Sequence, residues 1–161
     1  MKKIFTLMVM LTTALCTLFM TACNDPEPES IISDKSQPAW TAPTEYDLSS
    51  SMTAIIKVDL SISYPDQVKD PANAIDAKDL VAAFIGEQCV GVASPQDNGL
   101  FFLFISGPSS DTGNPEVTLR YYSAILKNNF VASEKIPYIN DKVLGTVAAP
   151  YVPTFVMEAG K

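Results

Sequence analysis

Apolar residues beyond position 44 recur with the two-residue period of β-strands. In 51–60, Ile56, Val58 and Leu60 alternate with Lys57 and Asp59, which predicts a strand with one buried face. Other apolar runs are short and end at residues that favour turns, and the prolines of 144–157 allow only short, broken strands there. Further strands are predicted at 80–85, 88–94, 100–106, 117–126 and 130–136.

The most detailed predictions concern a hairpin and the most apolar strand. The runs 80–85 and 88–94 flank Gly86 and Glu87, a spacing that predicts a β-hairpin. The alanines before Gly86 would also suit a helix, but the run is short and stops at that glycine, which favours a strand. The run 100–106, LFFLFIS, begins with six consecutive apolar residues and therefore predicts a central strand buried on both faces.

Short strands separated by turns, without a convincing long helix, predict an all-β fold. The architecture expected from this pattern is an antiparallel β-sandwich, immunoglobulin-like or jelly-roll-like, over residues 44–158. Residues 23–43 are acidic and rich in proline, and their apolar positions show no period. They predict an extended linker rather than part of the core.

The first 22 residues have the pattern of an export signal. Lys2 and Lys3 precede an apolar stretch over 4–22, and the small residues Thr21 and Ala22 lie directly before Cys23. This pattern predicts a signal peptide over 1–22 that is cleaved before Cys23; the alternative is an uncleaved N-terminal anchor helix.

The residues around Cys23 resemble the lipobox of bacterial lipoproteins, with MTAC over 20–23 as the match and Met20 as a departure from the usual Leu, Val or Ile. The resemblance implies lipidation of Cys23 and attachment to a membrane through that lipid. The following NDPEPES resembles the surface-export signal of lipoproteins of the Bacteroides group, and its alternative interpretation is a solvated acidic linker. We therefore expect an outer-membrane lipoprotein at the cell surface or on the periplasmic face.

The charge balance argues against nucleic acid as a partner. The chain has 11 basic and 18 acidic residues, and removal of Lys2 and Lys3 leaves a net charge of −9. Nucleic-acid binding requires clustered lysine and arginine, and Arg120 is the single arginine of the sequence.

The residue inventory also argues against most enzymes. The chain has no histidine, so neither a serine nor Cys89 has the usual base to activate it, and the ligands of a zinc site are lacking. We expect no catalytic residues, no metal site and no cofactor. The loops 66–79 and 111–116 carry side-chain oxygens that could bind calcium, so a calcium site remains an alternative. A carboxylate-dependent hydrolase is the least favoured function.

Several stretches together are similar to a β-sandwich module of bacterial surface and secreted proteins. In that module a start like YxxSMT precedes LVAAFVG-ECRGVA, LFFL, RYYD and F-AD-VLG-P. This chain resembles that order over 46–152, with SMT at 51–53 and with departures at Val90 and Ser123. The resemblance implies a sandwich fold but no particular activity. In it, Gly86 suits a hairpin turn, and Gly91 suits a bulge or a close approach of strands.

A binding module is the function that this set of residues favours. Trp40, Tyr64 and Tyr122 are the candidate ligand contacts, because exposed aromatic rings bind sugars and proteins. Tyr122 is adjacent to Tyr121, so only one of the two rings can face the core. The expected partner is a glycan or a surface protein, and the alternative function is a structural or assembly subunit of a cell-surface complex.

Overall fold

The structure is a computed structural model that describes residues 29–43, 50–70, 74–108 and 114–158. Two sheets are present in this part of the chain, one of three strands and one of five, and the predicted all-β sandwich is confirmed. The smaller sheet has the order β4-β1-β7, with β1 Ser51–Lys57, β4 Leu100–Ser106 and β7 Val143–Leu144. The larger sheet has the order β3-β2-β5-β6-β8, with β2 Leu80–Ile85, β3 Gln88–Ala93, β5 Glu116–Ser123, β6 Asn128–Pro137 and β8 Phe155–Met157.

Neighbouring strands are antiparallel except for β1 and β7, which pair in parallel. The inward faces of the two sheets enclose one apolar core in which the ring of Tyr121 lies 5.5 Å from that of Phe155 and 5.9 Å from that of Phe130. Aromatic pairs at these centroid distances stabilise a core beyond the area that they bury.

Strand β1 ends earlier than its alternating pattern predicts. Ile56 points inward as expected, and so do Met52 and Ala54, but the strand stops at Lys57 and a 3-10 helix follows at Leu60–Ile62. The side chain of Asp59 accepts a hydrogen bond from the backbone N of Ser61 at 3.0 Å. This capping contact starts the helix, which explains why the predicted strand over 51–60 is too long.

The predicted hairpin is confirmed, together with the interpretations of its two glycines. Ile85 pairs with Gln88, and Gly86 has a φ of +59°, which suits the first central position of a two-residue turn. The register then shifts, so that Val90 is an extra residue between two paired positions of β3. At Gly91, an added Cβ would lie 2.2 Å from the backbone O of Phe104, so β3 and β4 approach closely there.

The predicted position of the most apolar strand is wrong. β4 lies at the edge of the three-stranded sheet, and its outward residue Phe102 is 41% exposed. Phe101, Leu103 and Ile105 fill the core, whereas Phe102 and Phe104 lie on the opposite face. A continuous apolar run does not distinguish a strand buried on both faces from an edge strand with an apolar outer face.

Residues 31–40, here called the strap, pack on the sandwich. The side chain of Ile31 belongs to the core, and its carbonyl accepts a hydrogen bond from Nδ2 of Asn128 at 2.9 Å. The backbone N of Ser33 donates to the O of Leu126, and that of Lys35 donates to the O of Lys127, both at 2.9 Å. The compact unit that contains the sandwich therefore begins at Ile31.

Several sequence predictions fall on other residues. The predicted signal peptide 1–22, Cys23 and the first residues of the linker 23–43 lie outside the described residues, as does the predicted domain start at residue 44. Within the described residues, no helix has the length and apolar character needed to cross a membrane.

Candidate ligand cleft

The three aromatic residues predicted as ligand contacts lie in different surroundings. Trp40 of the strap is partly buried and packs edge-on against Phe84 of β2, with ring centroids 5.9 Å apart. Tyr122 is 5% exposed, and its hydroxyl donates to the backbone O of Lys35 at 3.4 Å. Trp40 and Tyr122 thus both belong to the outer layer of the larger sheet.

Tyr64 belongs to the core side of the sandwich instead. Its ring lies 6.0 Å from that of Phe130, and its hydroxyl accepts a hydrogen bond from the backbone N of Met157 at 2.6 Å. The expectation that only one of the adjacent tyrosines faces the core is confirmed, because Tyr121 is fully buried between the sheets. The ligand-binding roles of Trp40, Tyr64 and Tyr122 remain predictions.

The outer face of the larger sheet holds an arginine that the sequence analysis did not select. In the register of the sheet, Arg120 of β5 lies opposite Ala82 of β2, and the larger residue Phe84 lies two positions farther along β2. Because Ala82 is small, the arginine side chain can turn diagonally across the sheet towards that ring. The guanidinium carbon lies 4.5 Å from the Phe84 centroid, which is the geometry of a cation–π contact.

Two carboxylates flank this guanidinium at long distances. Nη1 of Arg120 lies 3.4 Å from Oε1 of Glu158, and Nη2 lies 4.0 Å from Oε2 of Glu87. The buried Nε has no hydrogen-bond partner among the described residues. The Phe84 ring therefore fixes the position of the guanidinium, while the N–H donors of the guanidinium have only distant carboxylate partners.

A cleft of about 460 Å³ opens beside Arg120, and we call it the arginine cleft. Thr118 lies on its floor, between Phe84 on one neighbouring strand and Lys135 on the other. At the exposed rim of the cleft, Nζ of Lys135 donates a hydrogen bond to Oε2 of Glu116 at 3.0 Å. The lining consists of Ile85, Gly86, Glu87, Pro115, Glu116, Thr118, Arg120 and Lys135.

The hairpin and the start of β5 form the two ends of this cleft. Gly86 and Glu87 are the turn residues of the β2–β3 hairpin, and Pro115 and Glu116 lead into β5. Both segments are fixed by the ladders of the larger sheet, so the cleft is built on rigid elements. Its volume is within the ordinary range of small-ligand sites, which is about 300–1,000 Å³.

A second cleft, of about 620 Å³, lies between the end of β1, the loop before β2 and the β3–β4 connection. Loop residues form most of its walls, with Lys57, Asp76, Gln96 and Asp97 among the polar ones. In the described residues, no three acidic, cysteine or histidine side chains are grouped closely enough to hold a metal ion. The second cleft lacks the stacked cation that distinguishes the arginine cleft.

Cys89, the cysteine of the described residues, is partly buried in β3. Burial raises the pKa of Cys89, and Sγ donates to the backbone O of Gly91 at 3.6 Å. The protonated thiol is therefore the form present at neutral pH, and it is a poor nucleophile.

Comparison with protein-family models, with curated proteins and with solved structures gives no match to this chain. The geometry of the clefts and surfaces therefore carries the functional proposal. Two features of the sequence could have drawn attention to Arg120. It is the single arginine of the chain, and it precedes the inward-facing Tyr121. Adjacent strand residues point to opposite faces, so this pattern could have placed Arg120 on the outer face.

Proposed function

We propose that this chain is a lipid-anchored surface lipoprotein whose β-sandwich is a non-catalytic binding module for a glycan or a protein. The arginine cleft is the ligand site in this proposal. The single observation that carries it is the guanidinium of Arg120, which Phe84 fixes in place and which the flanking carboxylates satisfy only at 3.4 and 4.0 Å.

A ligand bound to such a group gains affinity at low entropic cost. An arginine that is already ordered does not lose further rotamer freedom when it binds, so its hydrogen bonds contribute more to affinity than those of a free side chain. The mixture of donors and acceptors in the cleft suits reversible binding of a polar ligand. These features support recognition of a ligand rather than its chemical conversion.

Binding through this cleft can be tested with the mature, lipid-modified protein in detergent. A glycan array and a pull-down from outer-membrane extract should each be performed with the wild type, with Arg120→Gln and with Lys69→Gln. Lys69 is an exposed cation outside the lining of the arginine cleft, so its substitution is the matched control. We expect at least one specific ligand that Arg120→Gln loses and Lys69→Gln retains; no ligand in either assay would contradict the proposal.

A second candidate function is a subunit of a cell-surface assembly. The outer face of the smaller sheet carries Phe102, which is 41% exposed, and Val143, which is 63% exposed, with Ile55 opposite Phe102. Exposed apolar side chains grouped on one sheet face are typical of surfaces that contact another protein.

Crosslinking in cells separates this second candidate from the first. An assembly function predicts a specific crosslinked complex that Phe102→Ser abolishes. Ile125→Ser is the control, because Ile125 is also an exposed apolar residue but lies in the β5–β6 turn. A protein that remains monomeric and uncrosslinked in the wild type would exclude the assembly function.

A further inference from the structure

The arginine cleft contains hydrogen-bond donors and acceptors side by side. Arg120 and Lys135 supply charged N–H groups, and Glu87 and Glu116 supply carboxylate oxygens on the same walls. The Lys135–Glu116 pair is exposed, and the Glu87 side chain is 88% exposed, so these groups can exchange their present contacts for contacts to a ligand. A ligand that both donates and accepts at neighbouring positions would satisfy both kinds of group.

The charge around the cleft selects against ions. Two basic side chains, Arg120 and Lys135, are accompanied by three acidic ones, Glu87, Glu116 and Glu158, in a chain with a net charge of −7. An anion would meet three nearby carboxylates as well as the overall negative field, and a cation would have to displace Arg120 from its acidic neighbours. A neutral ligand incurs neither electrostatic cost.

Hydroxyl groups meet both requirements. Each hydroxyl has one donor and two acceptor positions, so adjacent hydroxyls can accept from a guanidinium and donate to a carboxylate at the same time. Hydrogen bonds that involve a charged partner are also stronger than those between neutral groups.

The size of the cleft is consistent with a sugar. A volume of about 460 Å³ accommodates a small saccharide unit. The guanidinium of Arg120 stacks on Phe84, and Trp40 packs edge-on against that ring, so the position of Arg120 is fixed by residues outside the cleft lining. We infer that the arginine cleft binds a neutral saccharide through adjacent hydroxyl groups. This inference rests on the proposed function and specifies its ligand class.

The test uses the mature, lipid-modified protein in detergent and an array with separate neutral, uronate-containing and amino-sugar glycans, followed by calorimetry of the hits. The inference predicts neutral hits whose Kd depends little on salt concentration. It also predicts that Arg120→Gln raises the Kd about tenfold to a hundredfold, because the substitution removes charged hydrogen bonds to the ligand.

Variants and controls keep the result interpretable. Glu87→Gln keeps the shape of an acceptor but removes its charge, so we expect a smaller loss than for Arg120→Gln, and Lys69→Gln should bind like the wild type. Circular dichroism and the thermal midpoint show whether each variant is folded. If Arg120→Gln is unfolded, then Thr118→Ala, on the floor of the cleft, supplies the same comparison.

The outcomes distinguish this inference from the function on which it rests. Hits limited to acidic or amino sugars, or neutral hits that are insensitive to Arg120→Gln, would overturn the saccharide inference. A protein partner lost in Arg120→Gln, with no saccharide bound, would also overturn it but would leave the binding module intact. If the array gives no hit and the pull-down gives no partner, both the saccharide inference and the proposed binding function are overturned.

Discussion

Asp79 is a fully buried carboxylate that connects three segments of the sandwich. Its Oδ2 accepts hydrogen bonds from the hydroxyl of Tyr121 at 2.6 Å and from the backbone N of Asp76 at 3.0 Å. Its Oδ1 accepts from the backbone N of Ala124 at 2.7 Å. The residue therefore joins the loop before β2, the core strand β5 and the turn after it, and its role is structural.

Removal of this carboxylate should strongly destabilise the protein. Asp79→Ala leaves the Tyr121 hydroxyl and the backbone N–H groups of Asp76 and Ala124 without their acceptor, and we expect a loss of about 3 kcal/mol or more in the free energy of unfolding. Urea denaturation measures the loss. The control is Asp66→Ala at an exposed loop position, which should change stability by about 0.5 kcal/mol or less. Equal stability of the two variants would show that the three hydrogen bonds contribute nothing.

The same residue gives the protein a pH dependence of defined sign. Burial and, to a smaller extent, the charge of Asp76 raise the pKa of Asp79 above its ordinary value of 3.8, and the hydrogen bonds from Tyr121, Ala124 and Asp76 offset this only in part. Above pH 3.8 and below the raised pKa, the folded state binds this proton more tightly than the unfolded chain does, so its contribution to stability falls as the pH rises.

Comparison with Asp79→Asn isolates this contribution from the other carboxylates. The free energy of unfolding of the wild type minus that of the variant should decrease as the pH rises from about 4 through the raised pKa, and then remain constant. Denaturation series at several pH values measure the difference. A difference that grows with pH over the same window would mean that the pKa is lowered instead.

At the scale of elements, the strap is held to the sandwich by one core side chain and several backbone hydrogen bonds. Ile31 is 2% exposed, whereas its neighbour Ile32 is 66% exposed. Ile31→Ala should therefore reduce the free energy of unfolding by about 2–4 kcal/mol, since it leaves a cavity among packed residues.

Ile32→Ala is the matched control for the strap, because the same substitution at the next residue removes a side chain that lies mostly in solvent. It should change stability by about 0.5 kcal/mol or less. Thermal or urea denaturation of the two variants measures both effects. A strap that is not part of the folded unit would give two variants of equal stability.

The elements also show what the sequence could and could not predict. The hairpin was predictable because Gly86 lies between two apolar runs, and this pattern is local. The edge position of β4 and the packing of the strap were not predictable, since both depend on which distant segments meet. Within the strap, only Ile31 enters the core, and one buried residue gives no period that could have been recognised.

The candidate site shows the same division between local and distant information. Trp40 was selected as an aromatic residue in a polar segment, and the structure places it beside the Phe84 ring. The stacking of Arg120 on that ring depends on the register between β2 and β5, and the proximity of Lys135 depends on the next pairing, of β5 with β6. Strand register cannot be read from a single sequence, so the cleft could not be assembled in advance.

At the scale of the whole molecule, the proposed lipid would hold the acidic sandwich close to a bilayer. The chain from Cys23 to Ile31 spans eight residues, so its contour is at most about 28 Å. In this proposal the mature chain has a net charge of −9, because Lys2 and Lys3 are removed with residues 1–22, and an anionic membrane surface would repel it. In this proposal its retention at the membrane would depend on the acyl chains, which contribute roughly 0.8 kcal/mol per buried CH₂.

Substitution of Cys23, the proposed acylation site, should release the protein from the membrane. In Cys23→Ser, the chain lacks the thiol that would receive the proposed lipid, and we expect most of the protein to move from the membrane fraction to the soluble fraction of cells. Cys89→Ser is the control, because this thiol lies in β3 and its loss should leave the membrane fraction unchanged. Immunoblots of the separated fractions measure the distribution. Equal membrane retention of both variants would argue for another means of attachment.

Mass spectrometry of the N-terminal peptide from the purified membrane-bound protein tests the proposed anchor directly. The account predicts a peptide that begins at Cys23 and carries covalently attached acyl chains, with residues 1–22 removed. A peptide that still contains residues 1–22 and an unmodified Cys23 would contradict it.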